Sequence, residues 1–297
     1  VRQEPMSPIM ILTDVLRRHA PEDGTFTSPL PGVKLIRSST TTLPMPVVYE
    51  PTLCLIAQGR KRAMLGRTAY VYDPARYLLA SVDLPIMGSV IEASADHPYL
   101  CLQIDLDMAI LGELALRFPQ AGGAQERTAP GLMLHDMSPD LLDSAVRLVR
   151  LLDTPDDIEA LAPLTVREIL YRLLIGPSGP ALRQMAQAGS RLSQISRAIL
   201  WIRENFRDAC PIEQAAEIAG MSRSSFHAHF KEVTSMSPLE FRTRLRLQEA
   251  QRLMVGDGLD AASAGFNVGY GSPSQFSRDY ARMFGLPPAR HAGALRG

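Results

Sequence analysis

Between residues 26 and 106 the apolar positions fall into short runs broken by proline, glycine and Asp-Pro: VKLIRSS, PTLCLIAQG, RAMLG, TAYVYD, RYLLASVDL, GSVIEAS and YLCLQIDL. Short strands at such spacing, bounded by turn residues, predict an antiparallel barrel or sandwich. The last run alternates cleanly, with Leu100, Leu102, Ile104 and Leu106 on one face and Cys101, Gln103 and Asp105 on the other. One face is therefore core and the other faces solvent or a lumen.

Beyond Asp105 the period becomes helical. Ser138-Pro139 is an N-cap and first-turn pair, followed by Leu141, Leu142, Ala145, Val146, Leu148, Val149 and Leu152 on one broad face. A second helix is expected from about Leu164, carrying Ile169, Leu170, Leu173 and Leu174 and stopped by Gly176-Pro177. Two such helices either cover the sheet or form a dimer seam. The stretch GPSGPALRQMAQAGS, residues 176–190, reads as a linker.

After that stretch the chain repeats itself at an offset of 50. Ser222, Ser224, Phe226 and Pro238 match Ser272, Ser274, Phe276 and Pro288, while Ile218 with Val268, Phe230 with Tyr280, Val233 with Met283 and Met236 with Leu286 keep their character. In the first copy a short helix begins at Pro211, Gly220 lies in a turn, and Ser222 caps a second helix with the stripe Phe226, Phe230, Val233. Helix, glycine-containing turn, helix is a helix-turn-helix. At 100° per residue, burying those phenylalanines turns Ser224, His227, Ala228 and Lys231 outward in the first copy. The same rotation exposes Ser274, Ser277, Arg278 and Ala281 in the second, with Gln275 at the edge. Between the copies, Ser237-Pro238 opens a helix to about Val255 that carries Arg242, Arg244, Arg246 and Arg252. Its length of ~27 Å suits two helices held near the ~34 Å spacing of successive major grooves. Upstream, Trp201 and the stripe Ile195, Ile199, Ile202, Phe206 read as a helix packed behind the first reader.

Composition fits this plan. With 297 residues, 46% apolar and 21% charged, the chain favours two globular domains and excludes a long disordered protein. Its 31 Lys+Arg balance 31 Asp+Glu, but residues 191–297 hold 14 against 10, a positive C-terminal part of the kind that meets nucleic acid. Three cysteines, Cys54, Cys101 and Cys210, make no disulfide framework and contain no CxxC pair. The start has no apolar h-region and no apolar stretch approaches 18 residues, so a cytoplasmic protein is expected.

Candidate chemistry is sparse. His227 and His229 form an HxH, but on a helix they lie 200° apart, and His19, His97 and His135 make no ligand cluster. No metal, cofactor or catalytic residue is expected, for no paired carboxylates, nucleophile triad or phosphate loop is present. Cys54 and Cys101 sit in strands as inert buried thiols or as reactive ones. Arg60, Lys61 and Arg62 form a solvated hairpin end, one member of which could meet an anionic effector. Tyr70, Tyr72 and Tyr77 fill the sheet or line a lumen.

The strings AAEIAGMSRSSFHAHFKEVTSMSPLEFRTRLRLQEAQRLM and GYGSPSQFSRDYARMFGLPPARH, within residues 193–291, resemble the DNA-binding domain of the AraC/XylS family of transcriptional regulators. EPTLCLIAQGRKRAMLG, YDPARYLLASVDLP and PYLCLQIDLD resemble the cupin-like ligand-binding domain of one branch of that family. The resemblance implies an α+β two-domain protein. A cupin-like antiparallel β-barrel with helices, for effector binding and dimerisation, would occupy residues 1–180. A linker would follow at 181–192, and an all-α domain of two helix-turn-helix units joined by a long helix at 193–297. It implies a homodimeric, sequence-specific activator that binds double-stranded DNA in two adjacent major grooves, contacts RNA polymerase and answers to a small-molecule effector. DNA contacts are expected from Arg223, Ser224, His227, Lys231, Ser274, Gln275, Ser277, Arg278 and Arg242, and effector contacts from Cys54, Arg60, Tyr70, Tyr72, Cys101 and Gln103. Where the family often carries an arginine in the first reader, this chain has Ala228, which can touch a thymine methyl but cannot grip guanine; the equivalent Arg278 can. The alternatives are an effector-independent regulator whose N-terminal domain only dimerises, and a cupin-type enzyme fused to a DNA-binding module.

Overall fold

The computed structural model describes residues 6–119, 127–208 and 210–296. The chain divides into two compact units, residues 1–193 and 194–297.

The first unit opens with a helix the strand pattern did not announce, α1 (Pro8–His19). Among the described residues ten strands follow: β1 (Gly24–Thr27), β2 (Val33–Ser38), β3 (Met45–Tyr49), β4 (Thr52–Gln58), β5 (Arg60–Leu65), β6 (Thr68–Tyr72), β7 (Arg76–Ala80), β8 (Leu84–Glu92), β9 (Tyr99–Asp105) and β10 (Leu132–Asp136). They form two antiparallel sheets, one ordered β1-β2-β9-β4-β7-β10 and one ordered β3-β8-β5-β6. Among the described residues four further α-helices complete the unit: α2 (Met108–Arg117), α3 (Pro139–Arg150), α4 (Ile158–Ile175) and α5 (Gly179–Ala186). Asp107 caps α2 by accepting from the Ala109 and Ile110 amides, and Ser138 caps α3 by accepting from Leu141.

The alternation of YLCLQIDL separates two interiors. Leu100, Leu102 and Ile104 join Leu53, Leu55 and Leu79 against the helices, where Leu141, Ala145, Leu148 and Val149 of α3 and Ile169, Leu170, Leu173 and Leu174 of α4 are also buried. These helices cover the large sheet. Tyr99 and Cys101 are equally buried but point the other way, toward the small sheet. The segment read as a linker is not loose chain: it holds α5, whose Ala181 and Leu182 lie in the same core. A Cβ on Gly179 would fall 2.1 Å from the Leu174 carbonyl oxygen, so α5 is tucked tightly against the end of α4.

The second unit contains most of α6 (Arg191–Asn205), then α7 (Ile212–Ala219), α8 (Arg223–Thr234), α9 (Pro238–Gly256), α10 (Ala261–Asn267), α11 (Pro273–Phe284) and α12 (Pro288–Arg296). Two helix-turn-helix pairs, α7–α8 and α10–α11, flank the 19-residue α9. The two copies do not keep one spacing throughout. Ala215, Ala216 and Ala219 of α7 are buried as Ala264, Gly265 and Val268 are, which is a spacing of 49, whereas the second helices match at 50. Turn hydrogen bonds agree, with Met221 donating to Ala216 and Tyr270 to Gly265. The second turn therefore has one extra residue, Gly271, and Val268 answers to Ala219 rather than to Ile218.

Candidate nucleic-acid interface and barrel interior

Each second helix begins at a serine: Ser222 accepts from the Ser225 amide and Ser272 from Gln275. Each buries aromatic rings one turn apart, Phe226 and Phe230 at 5.3 Å between centroids, and Phe276 and Tyr280 at 5.5 Å. The opposite faces are open. Arg223, Ser224, Ala228 and Lys231 are exposed and His227 is half-buried; Ser274, Gln275 and Arg278 are exposed and Ser277 is half-buried. Arg223 pairs with Glu213 at 3.2 Å across the exposed surface. Among the described residues no carboxylate lies within ion-pair distance of Arg278 or Lys231. Two outward cationic side chains, one per reader, are thus left for an external anion or base edge. His229 faces elsewhere, its Nδ1 3.0 Å from Glu232.

Two arginines of α9, Arg242 and Arg246, have inward duties. Arg242, expected at the DNA, donates from Nη1 to the Cys210 carbonyl at 3.0 Å and is half-buried. That carbonyl belongs to a residue with φ +42°, a left-handed conformation that a non-glycine residue holds only when neighbours fix it. Arg246 reaches four carbonyls: Phe206 at 2.6 Å, Asp208 at 2.7 Å, Gly269 at 3.0 Å and Arg207 at 3.3 Å. It ties the chain after α6 to the turn of the second pair, and burial pulls its pKa down from the usual value. Arg244 pairs with Glu240, and Arg252 with Glu249 and Asp257. A helix carrying Arg at 242 and 246, one turn apart beside Phe241 and Leu245, fixes the fold before it offers charge to phosphate.

In the first unit the two sheets enclose a polar cluster. Lys61 of β5 pairs in register with Tyr72 of β6 and Val90 of β8. Its ammonium lies 5.5 Å from the Tyr49 ring centroid and 6.0 Å from that of Tyr99, so the cation is bracketed by rings from both sheets. The Tyr49 and Tyr72 hydroxyl oxygens are 3.5 Å apart. Cys54 and Cys101 share this space: a hydrogen bond to Cys101 and burial push the Cys54 thiol well up, while Cys54, the Lys61 charge and the Tyr99 hydroxyl draw the Cys101 thiol down. The Tyr99 hydroxyl is buried without an oxygen or nitrogen partner.

The expected effector residues divide accordingly. Cys54, Tyr72 and Cys101 are brought together here. Tyr70 is half-buried opposite Ala63, and Gln103 is half-buried between Lys34 and Cys54 in the sheet register. Arg60 is elsewhere: strand alternation turns it outward to Glu92 at 3.3 Å and Asp73 at 3.8 Å. Tyr77 also leaves the group, meeting Ser178 Oγ at 2.9 Å on the helical side.

The model for the AraC-type transcriptional regulator N-terminus matches residues 29–181, more than half of the chain, and a helix-turn-helix domain model matches residues 215–292. The chain belongs to the AraC-type transcriptional regulators. Family and relatives are regulators rather than enzymes. This AraC-type chain is 36% identical over 88 residues to the RCS-specific activator RclR of Escherichia coli, covering 30% of this chain and 31% of RclR. It is 25% identical to the thermoregulatory protein LcrF of Yersinia pestis over 57% of this chain and 62% of LcrF. With ExsA of Pseudomonas aeruginosa it is 24% identical over 68% of this chain and 73% of that protein. The chain thus spans about a third of RclR and three-fifths of LcrF. In fold it is similar to ToxT of Vibrio cholerae bound to an unsaturated fatty acid, with TM-score 0.53 at 12% identity over 91% of this chain and 97% of that one. An apo ToxT variant gives 0.54 at 10% identity, over 91% and 100%.

Lys61, Tyr49 and Tyr99 are what sequence reasoning missed in this AraC-type barrel. The signal was present: in RKRAML, period 2 puts Lys61 on the face of Ala63 and Leu65, both fully buried. A lysine sharing a core face is an inward lysine, and the charge run around it disguised that.

Proposed function

We propose that this protein is a sequence-specific DNA-binding transcription factor, an activator, whose α8 and α11 enter two adjacent major grooves. The observation that carries the reading is the duplicated serine-capped helix with an apolar back and an open polar front. Ser224, His227 and Lys231 with flanking Arg223 serve the first box, and Ser274, Gln275, Ser277 and Arg278 the second. Helix α9 spans about 28 Å at 1.5 Å per residue, close to the groove repeat. Residues 193–297 form the reader, and residues 1–180 form the part that binds a small-molecule effector and makes the homodimer. Exposed Leu161 and Leu164 on α4 suit the dimer contact. Activation then works through contact with RNA polymerase in the cytoplasm.

The test is selection of bound sequences from random duplex DNA at fixed salt by the full chain. Two short boxes about one helical turn apart support the double reader. One box, or none, overturns it. In parallel, a library of small metabolites is tested for thermal stabilisation of the protein; promoter binding and stability unmoved by every compound favour the dimerisation-only alternative.

A further inference from the structure

We propose that the interior between the two sheets is a carboxylate-binding site, in which Lys61 supplies the charge and the Tyr99 hydroxyl a hydrogen bond. This rests on the effector reading above and names the ligand's chemistry. The first observation is a half-buried lysine whose ammonium lies between rings of the two sheets with no carboxylate in ion-pair distance among the described residues. Ring faces at 5.5 and 6.0 Å compensate only part of what an ammonium loses on leaving water. Burial opposes the charge, while the neighbouring Tyr49 hydroxyl and the two thiols raise its pKa above the ordinary lysine value. The second observation is independent: the Tyr99 hydroxyl, on the opposite sheet and beside the same cation, is buried with no oxygen or nitrogen to receive its proton. A buried hydroxyl left with only the Cys101 sulfur beside it makes at best a weak bond and calls for an explanation.

One group satisfies both. A carboxylate carries a single negative charge, matching the single ammonium, and its two oxygens accept from Lys61 and Tyr99 at once. A phosphate dianion would leave a net negative charge among Ile56, Leu65 and Ile86, all fully buried. The lysine itself passes over a glycine on this face, and the face reaches the surface. Gly88 of β8 has no side chain where a Cβ would lie 3.3 Å from Lys61 Cε, 3.9 Å from Nζ and 3.8 Å from Val47 Cγ1. Val47 and Met45 share the Tyr49 face of β3 by alternation, yet they are 37% and 54% exposed, so the cluster opens to the surface along an apolar lip. The ligand is therefore a monocarboxylate with an apolar remainder: the acid end meets Lys61 and the remainder lies along Val47 and Met45.

The experiment is thermal stabilisation and calorimetric binding of the full chain with butyrate and hexanoate, each against its amide, butyramide and hexanamide. Hexanoate is expected to bind more tightly than butyrate, and neither amide to bind. Lys61→Met is expected to abolish the hexanoate response, and Tyr99→Phe, which keeps the ring, to weaken binding about tenfold by loss of one hydrogen bond to a charged group. Equal response to acid and amide, or a hexanoate response that survives Lys61→Met, overturns the carboxylate assignment while leaving an effector barrel in place. If Lys61→Met does not fold, unchanged hexanoate affinity in Tyr99→Phe overturns it equally. No response to either acid also overturns it, and the metabolite screen above then decides separately whether the barrel takes any effector.

Discussion

In the first helix-turn-helix pair the turn glycine, Gly220, has room for a side chain: its nearest neighbour to an added Cβ is Gln194 Nε2 at 3.8 Å. In the second pair, Gly269 has none, because a Cβ there would fall 2.0 Å from the Arg207 carbonyl oxygen and 2.8 Å from Arg246 Nη2. Both have positive φ, +66° and +89°. The first turn needs glycine for its dihedral alone; the second needs it also because two backbones and a guanidinium meet there. The leading helices differ too. Helix α10 has Asp260 accepting from the Ala262 and Ser263 amides, whereas α7 starts at Pro211 with no side-chain cap. Gly265, where the first pair has Ala216, lets Phe276 approach to 2.9 Å of an absent Cβ. One supersecondary unit has thus been fitted twice, the second time into tighter quarters, and its extra residue, Gly271, is the sequence trace of that fit.

The two turns are separated most strongly by Gly269→Ala and Gly220→Ala. Gly269→Ala must displace the chain after α6, and the expected cost is roughly 3–5 kcal/mol of unfolding free energy. Gly220→Ala meets only the dihedral penalty, about 1 kcal/mol. Urea unfolding of both variants measures the difference. Equal losses would mean that the Arg207–Gly269 approach is not tight in solution.

Next in size is the arginine that holds the second turn. Arg246→Met strips four carbonyls of their donor, and about 2–3 kcal/mol of stability should go with it. Arg242→Met removes the bond to the Cys210 carbonyl and should cost less, about 1–2 kcal/mol. Because Arg242 points inward, its loss should also leave the salt dependence of DNA binding unchanged, whereas a phosphate contact would reduce the slope of log affinity against log salt by about one. Filter binding across a salt series separates the two.

How far these differences could be read in advance depends on what kind of interaction sets them. Strands β2 and β4 to β9, the two α3 and α4 stripes and the duplicated helices were legible, because burial imposes period 2 or 3.6 on the residues themselves; β3, with only Tyr49 fully buried, gave no such period. The 49-residue register of α7 and α10 was not, since Ala216 and Gly265 match in size and depth rather than in type. Helix α5 was hidden by its prolines and glycines, which mark turns in isolation but here let a backbone pack closely against Leu174. In the barrel, alternation could place Cys54, Tyr72 and Cys101 on the face between the sheets, where they are buried. Arg60 was chosen over Lys61 because three adjacent cations look alike in sequence, and only the strand phase set by Ala63 and Leu65 tells them apart. For the same reason Arg242 looked outward: a helix of 19 residues with charges all round gives no period to say which guanidinium turns in.

At the reader faces the comparison concerns specificity. Arg278 can donate two hydrogen bonds to guanine, so Arg278→Ala should cost about 1–3 kcal/mol at one base pair of the second box and little elsewhere. Ala228→Arg should add a comparable preference for guanine in the first box, making the two readers more alike. Competition binding with single-base variants of the selected site checks both. A uniform loss across all variants for Arg278→Ala would remove it from base reading.

The smallest effect lies where the reading helices end. Helix α11 ends at Gly285 with φ +78°, its amide donating to Ala281, while α8 ends at Ser235 with φ +58°, its amide donating to Lys231. The hydrogen bond is the same in both, so the difference is conformational: serine bears the Cβ penalty of the left-handed region and glycine does not. Ser235→Gly relieves that penalty but gives the unfolded chain more freedom, and the net gain should be about 0.5 kcal/mol. Gly285→Ser runs the comparison backwards. No atom lies within 4 Å of the Cβ position at Gly285, so the substitution should cost only the dihedral term, about 1 kcal/mol. If Ser235→Gly instead destabilises, the serine side chain contributes to the turn before Met236, and the two helix ends are alike in backbone only.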